Sequence, residues 1–160
     1  MMRSVLLRFD FGLGFFGSLP APGTWGSIFG LALAWVLPFQ AHVVLFILFS
    51  FIGLIACPAV VREFGEPDPQ WFIWDEVCGM MLSVLWAPKT PVVYAAAFLL
   101  FRFLDARKPW PIWTFERHTG PKGILLDDLA AGALTAAALP WIIKALSYAT
   151  TQAHVSLPAF

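Results

Sequence analysis

Charged residues are scarce in this sequence: 12% of its 160 residues are Asp, Glu, Lys or Arg, about half the share of a typical soluble domain. Hydrophobic residues make up 59% and aromatic residues 16%, with a mean hydropathy of +0.76. Because so few polar side chains cannot cover a globule in water, a lipid bilayer is the expected solvent. The same hydrophobicity excludes an intrinsically disordered chain.

An excess of positive charge is also absent, since ten Lys and Arg residues balance ten Asp and Glu residues. Nucleic acid is therefore not an expected partner, because its binding requires many cations against phosphates. Cysteine is rare, and Cys57 and Cys78 lie in apolar runs without CxxC or Cys/His spacing. This pattern argues against a disulfide scaffold or a zinc site. Arg8 and Asp10 interrupt the apolar core of any signal peptide, so we expect the N-terminus to be retained.

Long apolar runs predict an all-α integral membrane protein, because a bilayer favours segments that satisfy their own backbone hydrogen bonds. About 20 residues of helix cross a hydrocarbon core, which run 42–61 satisfies. We expect one compact domain over residues 1–160, built from helical hairpins with turns at 38–41 and 88–91 and a C-terminal tail at 147–160. The apolar runs are 28–39, 42–61, 77–87, 92–104 and 129–146.

The polar segments are expected on one face of the membrane. The segments up to residue 27, at 62–76 and at 105–128 are separated from one another by two crossings each. Lys89 and Lys144 fall opposite, against eight cations on the shared face. This positive-inside bias predicts a multi-pass membrane protein with its polar loops in the cytoplasm. The eight cations are Arg3, Arg8, Arg62, Arg102, Arg107, Lys108, Arg117 and Lys122.

Adjacent acids occur twice, each time before an apolar run and with a glycine one turn further on. Helix capping and a favourable charge in the first turn explain a single pair as well as function does. Recurrence of the pattern favours a site for a hard divalent cation such as Mg²⁺, which prefers carboxylate oxygens. We expect Asp105 to assist. The two groups are Asp75, Glu76 and Gly79, and Asp127, Asp128 and Gly132.

Cations near these acids predict phosphate binding. Arg102 and Asp105, spaced i and i+3, share a helix face and can pair. A structural ion pair explains part of this segment, but Lys108 and Arg117 can also neutralise a phosphate.

The segment LPAPGTWGS at 19–27 offers a second way to hold an anion. Gly23 and Gly26 permit close backbone approach, and Thr24 or Ser27 can cap a helix whose N–H groups face the anion. The alternative interpretation of this segment is only a helix start.

Five segments in order resemble motifs of the phosphatidylglycerophosphatase A family, over about residues 12–132. The resemblance implies a compact helical membrane enzyme that removes the terminal phosphate of phosphatidylglycerophosphate, with Mg²⁺, to give phosphatidylglycerol in bacterial phospholipid biosynthesis. The chain departs from the family pattern at 118–126, where HTGPKGILL precedes the second acid pair. The segments are LPAPGTWGS, WDEVCGM, FRFLDARKPWPI, FER and GILLDDLAAG.

The predicted mechanism is metal-assisted attack on a phosphoryl group. Asp75, Glu76, Asp127 and Asp128 hold the metal, while Thr24, Ser27, Arg102, Lys108 and Arg117 bind phosphate. Direct attack by water and a carboxylate nucleophile both stay open. His118 is either a general acid or an incidental loop residue.

Two other functions are weighed against this one. The first is a phosphatase acting on another lipid phosphate, and the second is a non-catalytic membrane protein, either a small transporter or a structural protein whose intramembrane charges form ion pairs. Neither KxxxxxxRP nor DxDx(T/V) occurs, which argues against two other phosphatase classes. The oligomeric state is not predicted.

Overall fold

The computed structural model describes residues 6, 9–67, 69–112, 114 and 120–155, with side chains described as far as residue 148. The described part is helical and contains no strand, which confirms the predicted all-α class. Short 3-10 helices at Phe16–Ser18 and Gly120–Lys122 accompany the longer ones. The longer helices are α1 (Pro22–Val36), α2 (Phe39–Phe64), α3 (Trp74–Ser83), α4 (Pro91–Arg107) and α5 (Gly123–Val155).

Helix α1 begins earlier than the apolar run 28–39 suggested. Pro22 occupies the first turn, where its missing N–H costs nothing, and Ala21 precedes it in the left-handed conformation at φ 54°. Gly23, Gly26 and Ser27 lower the local hydropathy without preventing helix formation. Hydropathy therefore marked the apolar part of the helix and missed its polar first turns.

Among the described residues, two helices are long and apolar enough to cross a membrane. They are α2, with 26 residues, and the segment Gly120–Tyr148, with 29 residues. Side chains along α2 are exposed on one side, including Val44, Ile47 and Phe51. Helix α5 continues past Pro140 to Val155, so the segment expected as a tail is helical as far as the structure describes it.

Helix α3 is the buried centre of the fold and packs against α1, α2, α4 and α5. It has ten residues, which gives it a length of about 15 Å, half the thickness of a hydrocarbon core. Most of its side chains are buried, including Val77, Met80 and Met81. A helix this short and this enclosed holds side chains in place rather than spanning the bilayer.

Contacts between helix ends fix the directions of the helices. At one end of the fold, the Lys89 ammonium donates to the carbonyls of Trp35, in the last turn of α1, and of Leu37, which follows the helix. Near that end, His42 of α2 bonds to the carbonyl of Met81 in α3. The starts of α1, α3 and α5 and the end of α4 meet around a cavity at the other end. Side chains from four helices therefore converge on one space.

Candidate active site

A cavity of about 310 Å³ gathers most of the predicted site residues. All five predicted carboxylates line it, together with two predicted phosphate-binding cations. The remaining wall comes from residues at the start of α1, from Ile124 and from the loop before α3. Arg117 and His118 lie outside the described residues. The charged lining residues are Asp75, Glu76, Arg102, Asp105, Lys108, Asp127 and Asp128.

Three of these carboxylates form a cluster that fits a metal ion. One oxygen from each of Asp75, Glu76 and Asp128 lies within 4.8 Å of the others. Oε2 of Glu76 and Oδ2 of Asp128 are buried and have no hydrogen-bond partner within the described part of the chain. A buried carboxylate oxygen without a donor is costly, and a bound cation offsets that cost. An all-oxygen donor set suits a hard cation such as Mg²⁺ or Ca²⁺.

Asp127 lies beside this cluster and has a different set of contacts. Its Oδ2 accepts from the Lys108 ammonium at 2.5 Å, and its Oδ1 accepts from the backbone N–H of Asp128 at 2.9 Å. Both oxygens are therefore engaged by the protein, unlike the orphaned oxygens of Glu76 and Asp128. Lys108 reaches Asp127 from the end of α4, where its backbone is left-handed at φ 41°.

Arg102 and Asp105 form the ion pair that their spacing predicted. Nη1 of Arg102 donates to Oδ2 of Asp105 at 2.7 Å, and both side chains remain partly exposed to the cavity. The cavity thus holds two cations, each oriented by an acid of its own. Either cation can still turn toward an anion that enters, because neither is enclosed.

Burial raises the pKa of Glu76 to about 7. The nearby charge of Asp105 raises this pKa further, while a hydrogen bond with Asp75 and the charge of Arg102 oppose the rise. Desolvation is the largest cause, because it disfavours the ionised carboxylate. A divalent cation would favour the ionised form again.

Glycines set the spacing of the acid pairs. A Cβ on Gly132 of α5 would lie 2.4 Å from the carbonyl oxygen of Gly79 in α3, so the two backbones touch. Each glycine is one turn beyond its own acid pair. A Cβ on Gly23 of α1 would lie 2.1 Å from Oε1 of Glu76, which leaves no room for a side chain there. Close helix contacts through glycine therefore bring the carboxylates together.

Thr24 and Ser27, which were predicted to cap this helix and bind phosphate, do not line the cavity. Ser27 is buried, and its hydroxyl donates to the carbonyl of Gly23 at 2.8 Å within α1. Ala21, Pro22 and Gly23 line the cavity instead. The helix start had been predicted, but the local sequence could not show which atoms of it face inward.

Some lining residues carried no signal in the sequence. Pro69, Gln70 and Phe72 reach the cavity from the loop before α3, and none belongs to a charged pair. The Lys108–Asp127 pair joins residues 19 positions apart, in two different helices or their ends. Its formation depends on helix packing and is not encoded in a local spacing.

Comparison with known proteins agrees with the geometry. A profile described as phosphatidylglycerophosphatase A matches residues 8–143. A phosphatidylglycerophosphatase A from Escherichia coli (strain K12) is 35% identical over 142 residues, covering 86% of this chain and 81% of the relative. A protein of the same name from Haemophilus influenzae is 36% identical, covering 79% and 80%.

A putative phosphatidylinositol-3-phosphatase from Bacteroides thetaiotaomicron is 36% identical, with 87% of this chain and 94% of the relative covered. No solved structure matches the chain. The profile match covers the cavity and both acid pairs, and the chain belongs to the phosphatidylglycerophosphatase A family.

Proposed function

We propose that this protein is a Mg²⁺-dependent phosphatase that hydrolyses phosphatidylglycerophosphate to phosphatidylglycerol and inorganic phosphate. The observation that carries the proposal is the cluster of Asp75, Glu76 and Asp128, two of whose oxygens are buried without a donor. Two cations in the same cavity supply the complementary charge for a phosphate. Family membership supports the substrate.

Asp75, Glu76 and Asp128 would hold the ion, with Asp105 assisting. A bound Mg²⁺ would polarise a phosphoryl oxygen and lower the pKa of a bound water. Both oxygens of Asp127 already accept hydrogen bonds. Each of these oxygens keeps a second lone pair, so Asp127 remains a proposed fourth ligand that also orients Lys108.

Arg102 would bind oxygens of the reacting phosphate and stabilise the charge that builds up during transfer, and Lys108 would bind an oxygen of the substrate's phosphate groups. The first turn of α1 adds the backbone N–H of Gly23 near the cavity, since Pro22 has no N–H and the N–H of Thr24 donates to the carbonyl of Ala21. This N–H would contribute to the anion site predicted at the helix start around Thr24 and Ser27. Arg117 is proposed as a further phosphate ligand on the strength of its sequence motif alone.

Hydrolysis breaks the bond between phosphorus and the glycerol oxygen, and the glycerol leaves as an alcohol after gaining a proton. Water supplies the new oxygen of inorganic phosphate, either directly or by hydrolysing an aspartyl-phosphate. Acid quenching during turnover of a ³²P-labelled substrate distinguishes the two routes. Label that stays on the protein indicates a carboxylate nucleophile, and its absence indicates direct attack by water.

The site is proposed to face the cytoplasm of a bacterial inner membrane. Support comes from α2 and α5, each long enough to cross a bilayer, and from the excess of Lys and Arg in the segments at the cavity end. The helical hairpins predicted from the apolar runs give a multi-pass arrangement. Cysteine labelling of intact cells tests it: a cysteine introduced at exposed Glu66 should resist an impermeant reagent, and one at Lys144 should react.

Phosphate release from purified protein in detergent tests the activity. We expect Mg²⁺-dependent release from phosphatidylglycerophosphate that EDTA abolishes. Phosphatidic acid and phosphatidylinositol 3-phosphate serve as competing substrates, the second because of the name of the Bacteroides relative. Preferred release from either competitor would contradict the assigned substrate while keeping the chemistry.

A carboxylate variant separates an enzyme from a non-catalytic membrane protein. Asp128→Asn removes one orphaned oxygen with almost no change in volume, and we expect a loss of at least about 10³-fold in turnover. Glu66→Gln is the matched control, because Glu66 is exposed and does not line the cavity. A folded Asp128→Asn protein with normal turnover would contradict the proposed metal site.

A further inference from the structure

A second cavity of about 360 Å³ adjoins the active-site cavity. Lys108, Ile124 and Asp127 line both of them. The rest of the second lining is largely apolar, with Val61 at the end of α2 and Pro67 in the loop after it. The Lys108–Asp127 pair therefore lies at the junction of a space rich in charge and a more apolar space.

The order of these features matches the order of groups along the substrate. From the reacting end, phosphatidylglycerophosphate carries a phosphate monoester, a glycerol, a phosphodiester and then the acylated glycerol. From the acid cluster outward, the protein presents three carboxylates that could hold a metal, then the Lys108 ammonium, then the more apolar cavity. The phosphodiester, which is one glycerol away from the reacting phosphate, would therefore lie near the Lys108 ammonium at the junction of the two cavities.

We propose that Lys108 is the specificity residue that binds the phosphodiester of the substrate, with the second cavity taking the adjoining acylated glycerol. This inference rests on the proposed function and deepens it. Arg102, which lines the first cavity, is left for the phosphate that reacts. A lipid with one phosphate cannot occupy the reacting position and Lys108 together, so the enzyme selects substrates with two.

The contacts of Lys108 suit this role. Its side chain is 27% exposed, whereas that of Asp127 is 3% exposed, so Asp127 anchors the ammonium while leaving one side of it open to the cavity. The ammonium has three donors. It can therefore keep Asp127 as an acceptor and still donate to a phosphodiester oxygen.

Inhibition constants separate the two phosphate positions. The product phosphatidylglycerol keeps the phosphodiester and lacks the monoester, whereas inorganic phosphate mimics only the group that reacts. In Lys108→Gln we expect the KM for phosphatidylglycerophosphate and the Ki for phosphatidylglycerol both to rise at least about tenfold. The Ki for inorganic phosphate and kcat should stay within about twofold. Lys108→Arg keeps the charge and should restore most of the affinity for phosphatidylglycerol.

Two further variants control for loss of the buried pair. Lys108→Gln/Asp127→Asn leaves no unpaired carboxylate, and its Ki for phosphatidylglycerol should rise as in the single variant. Lys144→Gln removes an exposed cation from α5 and should change neither Ki.

Two results would overturn the proposal: an equal rise in both Ki values in Lys108→Gln, or no change in either. If the unaltered protein released no phosphate from phosphatidylglycerophosphate, the proposed function would fall and this inference with it. If the unaltered protein released phosphate normally but the KM and Ki values of Lys108→Gln were unchanged, this inference would be rejected and the proposed function would stand.

Discussion

Gly132→Ala tests whether the contact between α3 and α5 sets the geometry of the site. The added Cβ would lie 2.4 Å from the carbonyl oxygen of Gly79, whereas ordinary contacts begin at 3.4 Å. The two backbones must therefore separate by the difference, about 1 Å, because a backbone carbonyl cannot rotate away as a side chain can. Asp128 lies one turn away on α5 and would move with its helix.

The expected result is a large loss of turnover with a small change in stability. A displacement of 1 Å at reacting groups costs about 10²-fold in rate. Overpacking costs about 1–3 kcal/mol, which the better helix propensity of alanine offsets by about 1 kcal/mol. Gly132→Ala should thus remain folded and release phosphate about 10²-fold more slowly than the unaltered protein.

Phosphate release at saturating Mg²⁺ and thermal unfolding in detergent measure the two effects. Ala133→Val is the matched control, because Ala133 is exposed on the same turn of α5 and added carbons there meet no helix. Turnover of Gly132→Ala within about threefold of the unaltered protein would refute the reasoning, because a 1 Å separation would then be harmless.

Three further results are expected. Gly23→Ala should weaken Mg²⁺ binding about tenfold with little change in unfolding temperature, because its Cβ displaces the movable Oε1 of Glu76. Ser27→Ala should leave turnover within about twofold, because the Ser27 hydroxyl bonds inside α1, and stability should fall by only about 1 kcal/mol. In the metal-free protein, the free energy of unfolding should fall as pH rises from about 4.5 to about 7. The folded state raises the pKa of Glu76 to about 7, so the folded protein holds this proton more tightly than the unfolded chain does. The loss due to Glu76 should be about 3 kcal/mol, and Glu76→Gln should remove that share of the decline.

Each of these three predictions can be contradicted by a specific result. Unchanged Mg²⁺ binding in Gly23→Ala, measured by calorimetry, would mean that Glu76 is not a ligand. A tenfold drop in turnover for Ser27→Ala would return the hydroxyl to the phosphate site. A pH dependence of the unfolding temperature between pH 5 and pH 7.5 that is no steeper in the unaltered metal-free protein than in Glu76→Gln would contradict the pKa of Glu76.

Features that depend on short-range spacing were predictable from the sequence. The Arg102–Asp105 pair needs only the helical period, and it formed. The two acid pairs also reached one cavity, because each begins near a helix start at the same end of the fold. The local pattern of acids followed by glycine is visible in the sequence, whereas the contact between Gly79 and Gly132 is visible only in the fold.

Features that depend on packing were not predictable. Nothing local indicates that Lys108 takes one oxygen of Asp127 while Glu76 and Asp128 keep oxygens without donors. The bounds of α1 also differed, since its first turns are built from small residues that hydropathy does not mark as helix. Nor does the local sequence show that the side chain of Ser27 is buried inside the fold and does not face the cavity.

The contact between Gly79 and Gly132 changes how related sequences should be interpreted. Neither residue has a functional group, yet the distance between the acid pairs depends on the absence of a methyl group at this crossing. A relative can therefore retain every carboxylate and still lack activity if one of these positions carries a larger residue. Assigning activity to such relatives requires inspecting the positions that correspond to Gly79 and Gly132 as well as the acids.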